Sequence, residues 1–168
     1  TAVLLVVLTL ISSNVYATTA TELKDYICNP QGIAGTILVI TDADRTKVER
    51  FFSENTITDE QAGQIKSIID KGIALMTEDG ATTPKELSSY AKKEQLLNYA
   101  KEAAAIVGFT VTYDVAEGRL DIYKDGALYE SLNWGVSLDG SSTSGALVQT
   151  GNTNYIYLVI VGAILIAT

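Results

Sequence analysis

The chain has 168 residues, with 12 Lys and Arg against 20 Asp and Glu, a net charge of -8, no His and a single Cys. An acidic balance disfavours nucleic acid and anionic headgroups as partners. Without histidine, Ser-His-Asp and Cys-His catalysis and His-ligated zinc are excluded, and one cysteine closes no disulfide within the chain. Every one of the charged residues lies between Glu22 and Asp139, so an acidic middle is flanked by two uncharged ends.

In chain order, the first segment is Ala2 to Ile11, AVLLVVLTLI, in which Thr9 is the only polar residue. About ten residues are too few to span a bilayer, which takes roughly 20. They match the hydrophobic centre of a secretory signal peptide over residues 1–17. The polar Ser12-Ser13-Asn14 and then Val15-Tyr16-Ala17 follow, which places small side chains where signal peptidase needs them and predicts cleavage between Ala17 and Thr18. The sequence opens without a methionine or a basic leader, so the expectation is that it starts inside the signal.

Residues 18–134 read as one extracellular α+β domain: helices first, then a small antiparallel β-meander. Thr21 to Cys28 is expected to be a short helix, ended by Asn29-Pro30-Gln31-Gly32. Gly35 to Thr41 is a β-branched apolar run, expected to be a buried strand that could join the meander. Asp42 to Asn55 reads as a helix with Val48, Phe51 and Phe52 on its apolar face. Thr58-Asp59-Glu60-Gln61 is a capping box, and Ile65, Ile68, Ile69, Ile73 and Met76 then recur at helical spacing until Glu78-Asp79-Gly80. Thr83-Pro84-Lys85-Glu86 predicts a second start, with Leu87, Tyr90, Leu97, Ala100, Ala104 and Val107 as the stripe and a break near Ala91-Lys92 as an option. Gly108 is expected just past the end of that helix.

The pattern then changes to period two. Phe109, Val111 and Tyr113 alternate with Thr110 and Thr112, Asp114 to Gly118 forms a turn, and Leu120 and Ile122 alternate with Asp121 and Tyr123. Lys124-Asp125-Gly126 signals a hairpin into a third strand over 127–133, with Trp134 at the sheet edge or core.

Candidate chemistry in this domain is sparse. Asp121, Asp125 and Glu130 around Gly126, and the Asp42/Asp44 pair, could offer carboxylate ligands to calcium. Neither has EF-hand spacing, and the simpler reading makes them solvent-facing, with Asp121 opposite Glu130 across a strand pair. No motif selects a carboxylate pair for hydrolysis, and no catalytic, cofactor or metal residue is assigned. Cys28 has only Lys24 near it in sequence to lower its pKa, so it reads as a small, partly buried helix residue. Tyr113, Tyr123, Tyr129 and Trp134 are the candidate recognition aromatics, since rings with a polar tip suit sugar or peptide surfaces.

Past the domain, residues 135–151 form a linker containing Gly140-Ser141-Ser142-Thr143-Ser144-Gly145 and then Leu147-Val148-Gln149-Thr150-Gly151. Residues 152–168 carry the uncharged run from Tyr155, which at 14 residues spans about 21 Å of a ~30 Å bilayer core and reads as part of a transmembrane helix. This order of motif and apolar segment resembles the sorting signal of Gram-positive cell-wall-anchored surface proteins, LPxTG followed by a hydrophobic stretch, with Val148 standing where that family has Pro. The resemblance implies that a sortase cuts between Thr150 and Gly151, with Leu147 as the recognition residue, and joins Thr150 to peptidoglycan. Residues 56–132 also resemble small acidic surface proteins of Firmicutes, through ITDEQA, TEDG, TPKEL, KEAAAIVG and DIYKDG. The expected partners are therefore signal peptidase, the membrane, sortase and peptidoglycan, and the expected place is the outer face of the cell envelope. The expected role is a displayed, non-catalytic binding or structural module. An envelope enzyme or regulator using carboxylate chemistry, or a receptor's sensor domain, is the alternative.

Overall fold

Thr19 opens the first helix, and it does so with reciprocal bonds. Its Oγ1 accepts from the Glu22 amide at 3.1 Å, while the Glu22 carboxylate accepts from the Thr19 amide at 2.7 Å. These bonds satisfy two of the N–H groups that a helix start leaves unpaired. The computed structural model describes residues 18–133. Helix α1 (Ala20–Cys28) leads into the strands β1 (Gln31–Ile33) and β2 (Thr36–Leu38), followed by α2 (Asp42–Glu54) and α3 (Asp59–Asp79). A 3-10 turn at Pro84–Glu86 precedes α4 (Tyr90–Ile106), and the last described elements are β3 (Phe109–Asp114), β4 (Arg119–Lys124) and β5 (Ala127–Asn133). The fold is α+β, with its helices leading into an antiparallel sheet of order β3-β4-β5.

The long helices form as their sequences direct. Thr58 and Gln61 complete the capping box of α3, and Gly80 ends it in the left-handed region at φ 69°. One face of α3 buries Ala62, Ile65, Ile68, Ile69, Leu75 and Met76. It lies along α4, which buries Leu96, Leu97, Ala100, Ala103 and Ala104; Tyr90, expected on this stripe, is instead 47% exposed in the first turn of α4. The Gln61 amide donates to the Ile106 carbonyl at 2.8 Å, fixing the start of α3 against the end of α4, so these two helices run antiparallel. Gly108 then turns at φ 82° into β3, and Phe109, Val111, Leu120 and Ile122 close the core from the sheet.

Three further expectations fail, each for a visible reason. The apolar run 35–41 does not join the meander. Only Thr36–Leu38 is strand, and it pairs with Gln31–Ile33 in a separate two-stranded hairpin whose turn residues Ala34 and Gly35 both have positive φ. Its alternation is one-sided. Leu38 and Ile40 are buried, whereas Ile37 is 72% and Val39 51% exposed.

Thr83-Pro84 does not start a full helix either. Glu86 does bond back to the Thr82 and Thr83 amides, but Leu87 leaves helical geometry with ψ 126°, and Ser89 becomes the N-cap of α4. The break therefore falls before Tyr90 rather than near Ala91-Lys92. The carboxylate of Asp79 takes both the amide and the hydroxyl of Ser88, which holds that stretch in an extended bend.

Finally, Asp121 is not solvent-facing but only 7% exposed, and it does not face Glu130. A regular two-residue hairpin at Asp125-Gly126 would set Asp121 opposite Glu130. An irregularity between Ile122 and Tyr123 moves β5 by one residue, so Ser131 is the partner of Asp121 instead.

The signal peptide of residues 1–17 and the apolar segment of 152–168, both expected as helices, lie outside the described residues. Among the described residues, no helix is long and apolar enough to cross a membrane.

Candidate functional site

The candidate aromatics do not assemble into one face. Tyr113 shares the inward side of β3 with Phe109 and Val111 and packs against the core. Tyr129 sits in the bulge of β5 and stacks on Phe109, ring centroids 4.9 Å apart. Burial raises its hydroxyl pKa, with Glu54 adding to the effect. Tyr123 alternates with the inward Leu120 and Ile122 and therefore lies on the opposite face, paired with the exposed Leu128. Trp134 lies outside the described residues. The recognition face expected from these rings is thus split by strand parity.

The sheet's ionisable side chains form a closed network rather than an open site. The Arg119 guanidinium donates to both oxygens of Asp121, at 2.8 and 3.1 Å, and also pairs with Glu117. The Ser131 hydroxyl donates to Asp121 at 2.6 Å. Arg119 first and Ser131 second hold the Asp121 carboxyl below its usual range, and Asp121 in turn raises the Arg119 pKa. With its oxygens engaged in this way, Asp121 is a poor calcium ligand. Among the described residues, no three His, Cys, Asp or Glu side chains gather as a metal site would need. Asp42 and Asp44 are first-turn residues of α2, where negative charge complements the helix dipole, and the Asp44 amide donates to the capping hydroxyl of Thr41 at 3.1 Å.

A second polar cluster ties the end of α3 to the start of α4. Asp79 accepts from the ammonium of Lys92 and from the hydroxyl and amide of Ser88. These bonds, that from Lys92 first, hold the Asp79 pKa down at about 2. The Lys92 ammonium lies 3.5 Å from the Ser88 hydroxyl, the spacing of a Ser-Lys pair. However, the Asp79 carboxylate accepts from both the Lys92 side chain and the Ser88 hydroxyl, so both groups are engaged by it. The cluster is a clamp.

Cys28 is more buried than its sequence position suggested, at 5% exposure, and burial pushes its thiol pKa up. Arg45, 17 residues away, donates to the Cys28 carbonyl at 2.8 Å, a cation that local sequence did not reveal.

Among the described residues, a shallow groove of about 720 Å³ runs between the first turns of α3 and the last turns of α4. Thr18, Asp59, Glu60, Lys71 and Glu102 line it. Thr18, where the mature chain is expected to begin, therefore lies one residue before the Thr19 cap and beside an acidic cleft that the sequence reading did not single out. The carboxylates with displaced pKa values, Glu22, Asp79, Glu86 and Asp121, all sit elsewhere, in caps and ion pairs. Ala17 and the sorting-motif residues Leu147, Val148, Gln149, Thr150 and Gly151 lie outside the described residues.

Comparison with protein-family models, with curated proteins and with solved structures finds no match to this chain.

Proposed function

We propose that this protein is an acidic, non-catalytic module displayed on the outer face of a cell envelope and held there through the apolar segment that begins at Tyr155. One observation carries the reading: all charge lies between Glu22 and Asp139, and each flank is apolar over a length suited to membrane handling. The order Leu147-Val148-Gln149-Thr150-Gly151 directly ahead of the second flank supports a further step, in which the chain is cut after Thr150 and joined covalently to the cell wall, so that the apolar segment holds it only until that transfer. The engagement of Asp79 by Lys92 and Ser88 and of Asp121 by Arg119 and Ser131 within the fold supports a binding or structural role.

Fractionation of cells expressing the complete protein tests this. The expected result is recovery with the envelope and an N-terminus at Thr18, and recovery from the cytosol with the leader intact overturns it. Covalent attachment predicts release by muramidase but not by detergent, with Thr150→Ala abolishing the muramidase-dependent fraction.

A further inference from the structure

The bond at which signal peptidase is expected to cut, Ala17–Thr18, lies directly ahead of α1, and the residues that follow it are already committed to the fold. Thr18 is half-buried and lines the groove between the first turns of α3 and the last turns of α4. Thr19 is engaged through three of its atoms. Its amide donates to the Glu22 carboxylate at 2.7 Å, its Oγ1 accepts from the Glu22 amide at 3.1 Å, and its carbonyl accepts from the Leu23 amide at 2.9 Å. Helical geometry begins at Ala20.

The helix behind this cap is fastened along its length. Leu23 and Ile27 are 1% and 2% exposed in the shared core, and the Tyr26 hydroxyl donates to Asp70 of α3 at 2.6 Å. At its end, Arg45 of α2 donates to the Cys28 carbonyl at 2.8 Å. Freeing the first turn of α1 therefore means giving up the Thr19–Glu22 bonds and part of a buried face, which is a local unfolding step. A protease, by contrast, takes its substrate as an extended strand whose backbone pairs with the cleft around the scissile bond. On the carboxyl-terminal side of that bond, the folded chain offers Thr18 alone before the amide and carbonyl of Thr19 are taken up by α1.

We infer that α1 closes the cleavage site once the domain folds, so that the leader is removed only while residues 18–28 are unfolded. This rests on the reading that residues 1–17 are a signal peptide. Hydrolysis adds water across the Ala17–Thr18 bond and leaves a carboxylate on Ala17 and an amine on Thr18. It takes nothing from α1, because both bonds of the Thr19 cap lie downstream of the cut. The cut is thus harmless to the domain, whereas the folded domain obstructs the cut. Processing precedes folding in that order, and a chain that folds first keeps its leader. Cleavage of such a chain proceeds at a rate set by the fraction of molecules in which the start of α1 is open.

The test presents the full chain, leader attached, to purified signal peptidase in detergent micelles and follows the appearance of the Thr18 terminus by mass. The unfolded reference is Phe51→Asp, which places a charge in the core, leaves residues 1–50 unchanged and is verified by loss of near-UV circular dichroism. The folded parent is expected to be cut at least about tenfold more slowly than this reference. Glu22→Ala frees the Thr19 amide, and Leu23→Ala removes packing from α1, and neither residue adjoins the bond. Each is expected to raise the rate of the folded chain several-fold and to change nothing when combined with Phe51→Asp. Equal rates for the parent and Phe51→Asp overturn the inference and leave the signal peptide reading standing. Protection that both α1 variants leave intact overturns the assignment to α1. Failure to cut between Ala17 and Thr18 even in the unfolded chain overturns the signal peptide reading as well.

Discussion

Ala34 occupies the left-handed region at φ 48°, where an L-residue other than Asn or Asp carries strain, and it does so because Gly35 follows it in a two-residue turn between β1 and β2. The matching turn between β4 and β5 uses Asp125-Gly126, a pair suited to both positive φ values. Ala34→Asn is therefore expected to raise the unfolding free energy by about 0.5–1 kcal/mol, read as a higher urea midpoint at unchanged slope. Asp79 offers a second test at this scale. Its pKa is about 2 in the folded chain against an ordinary 3.8, so the folded state binds its proton less readily than the unfolded one. That contribution is complete above the unfolded pKa and fades as pH falls from about 5 toward 2. The melting temperature of Asp79→Asn should lie below that of the parent at pH 6, and the gap should shrink by pH 2. A constant gap across that range would mean that the clamp does not depend on charge. Residue identity announced the Asp-Gly turn and the Thr58 cap, because both are local. It did not announce the Asp79 clamp, whose partners Ser88 and Lys92 meet Asp79 only once the chain has bent after Gly80.

Elements follow the same division. Caps and periodicity set α1, α2 and α3 within a residue or two, and Thr58→Ala should cost about 1 kcal/mol in chemical denaturation because it removes one half of a capping box. The expected helix start at Thr83-Pro84 was overridden by a tertiary contact: Leu87 is buried and Ser88 is held by Asp79, so the chain bends and starts α4 again at Ser89. In β5 a bulge shifts the register by one residue and so replaces an Asp121–Glu130 pairing, two like charges face to face, with the Asp121–Ser131 hydrogen bond. Ser131→Ala should lower stability by about 1 kcal/mol, with Arg119 still satisfying the carboxylate. Strand parity by itself puts Tyr129 on the Phe109 side and Tyr123 on the other, which is why the expected recognition face did not assemble.

At the scale of the whole molecule, the helices and the three-stranded sheet share one core, and Phe51 joins them. It is fully buried on α2, lies 5.5 Å from Phe52 and 6.2 Å from Phe109 between ring centroids, and belongs to the continuous cluster that reaches α1 and α3. Phe51→Ala should therefore destabilise the entire domain by about 3–5 kcal/mol in a single cooperative transition, seen alike by far-UV circular dichroism and tyrosine fluorescence. Separate transitions for helices and sheet would show that the two parts do not share that core. The sequence by itself determined the charge partition, the lack of histidine, the α+β order and the apolar faces of α2 and α3. Each of these depends on composition or on spacing along one element. Only the tertiary structure decided that the apolar run 35–41 folds into its own hairpin with Ile37 and Val39 outside. It also decided that Asp121 is buried against Arg119, and that Asp59, Glu60 and Glu102 line one groove. Those outcomes depend on which surfaces meet across 40 or more residues of chain, or on a one-residue shift in strand pairing, and neither leaves a local mark in the sequence.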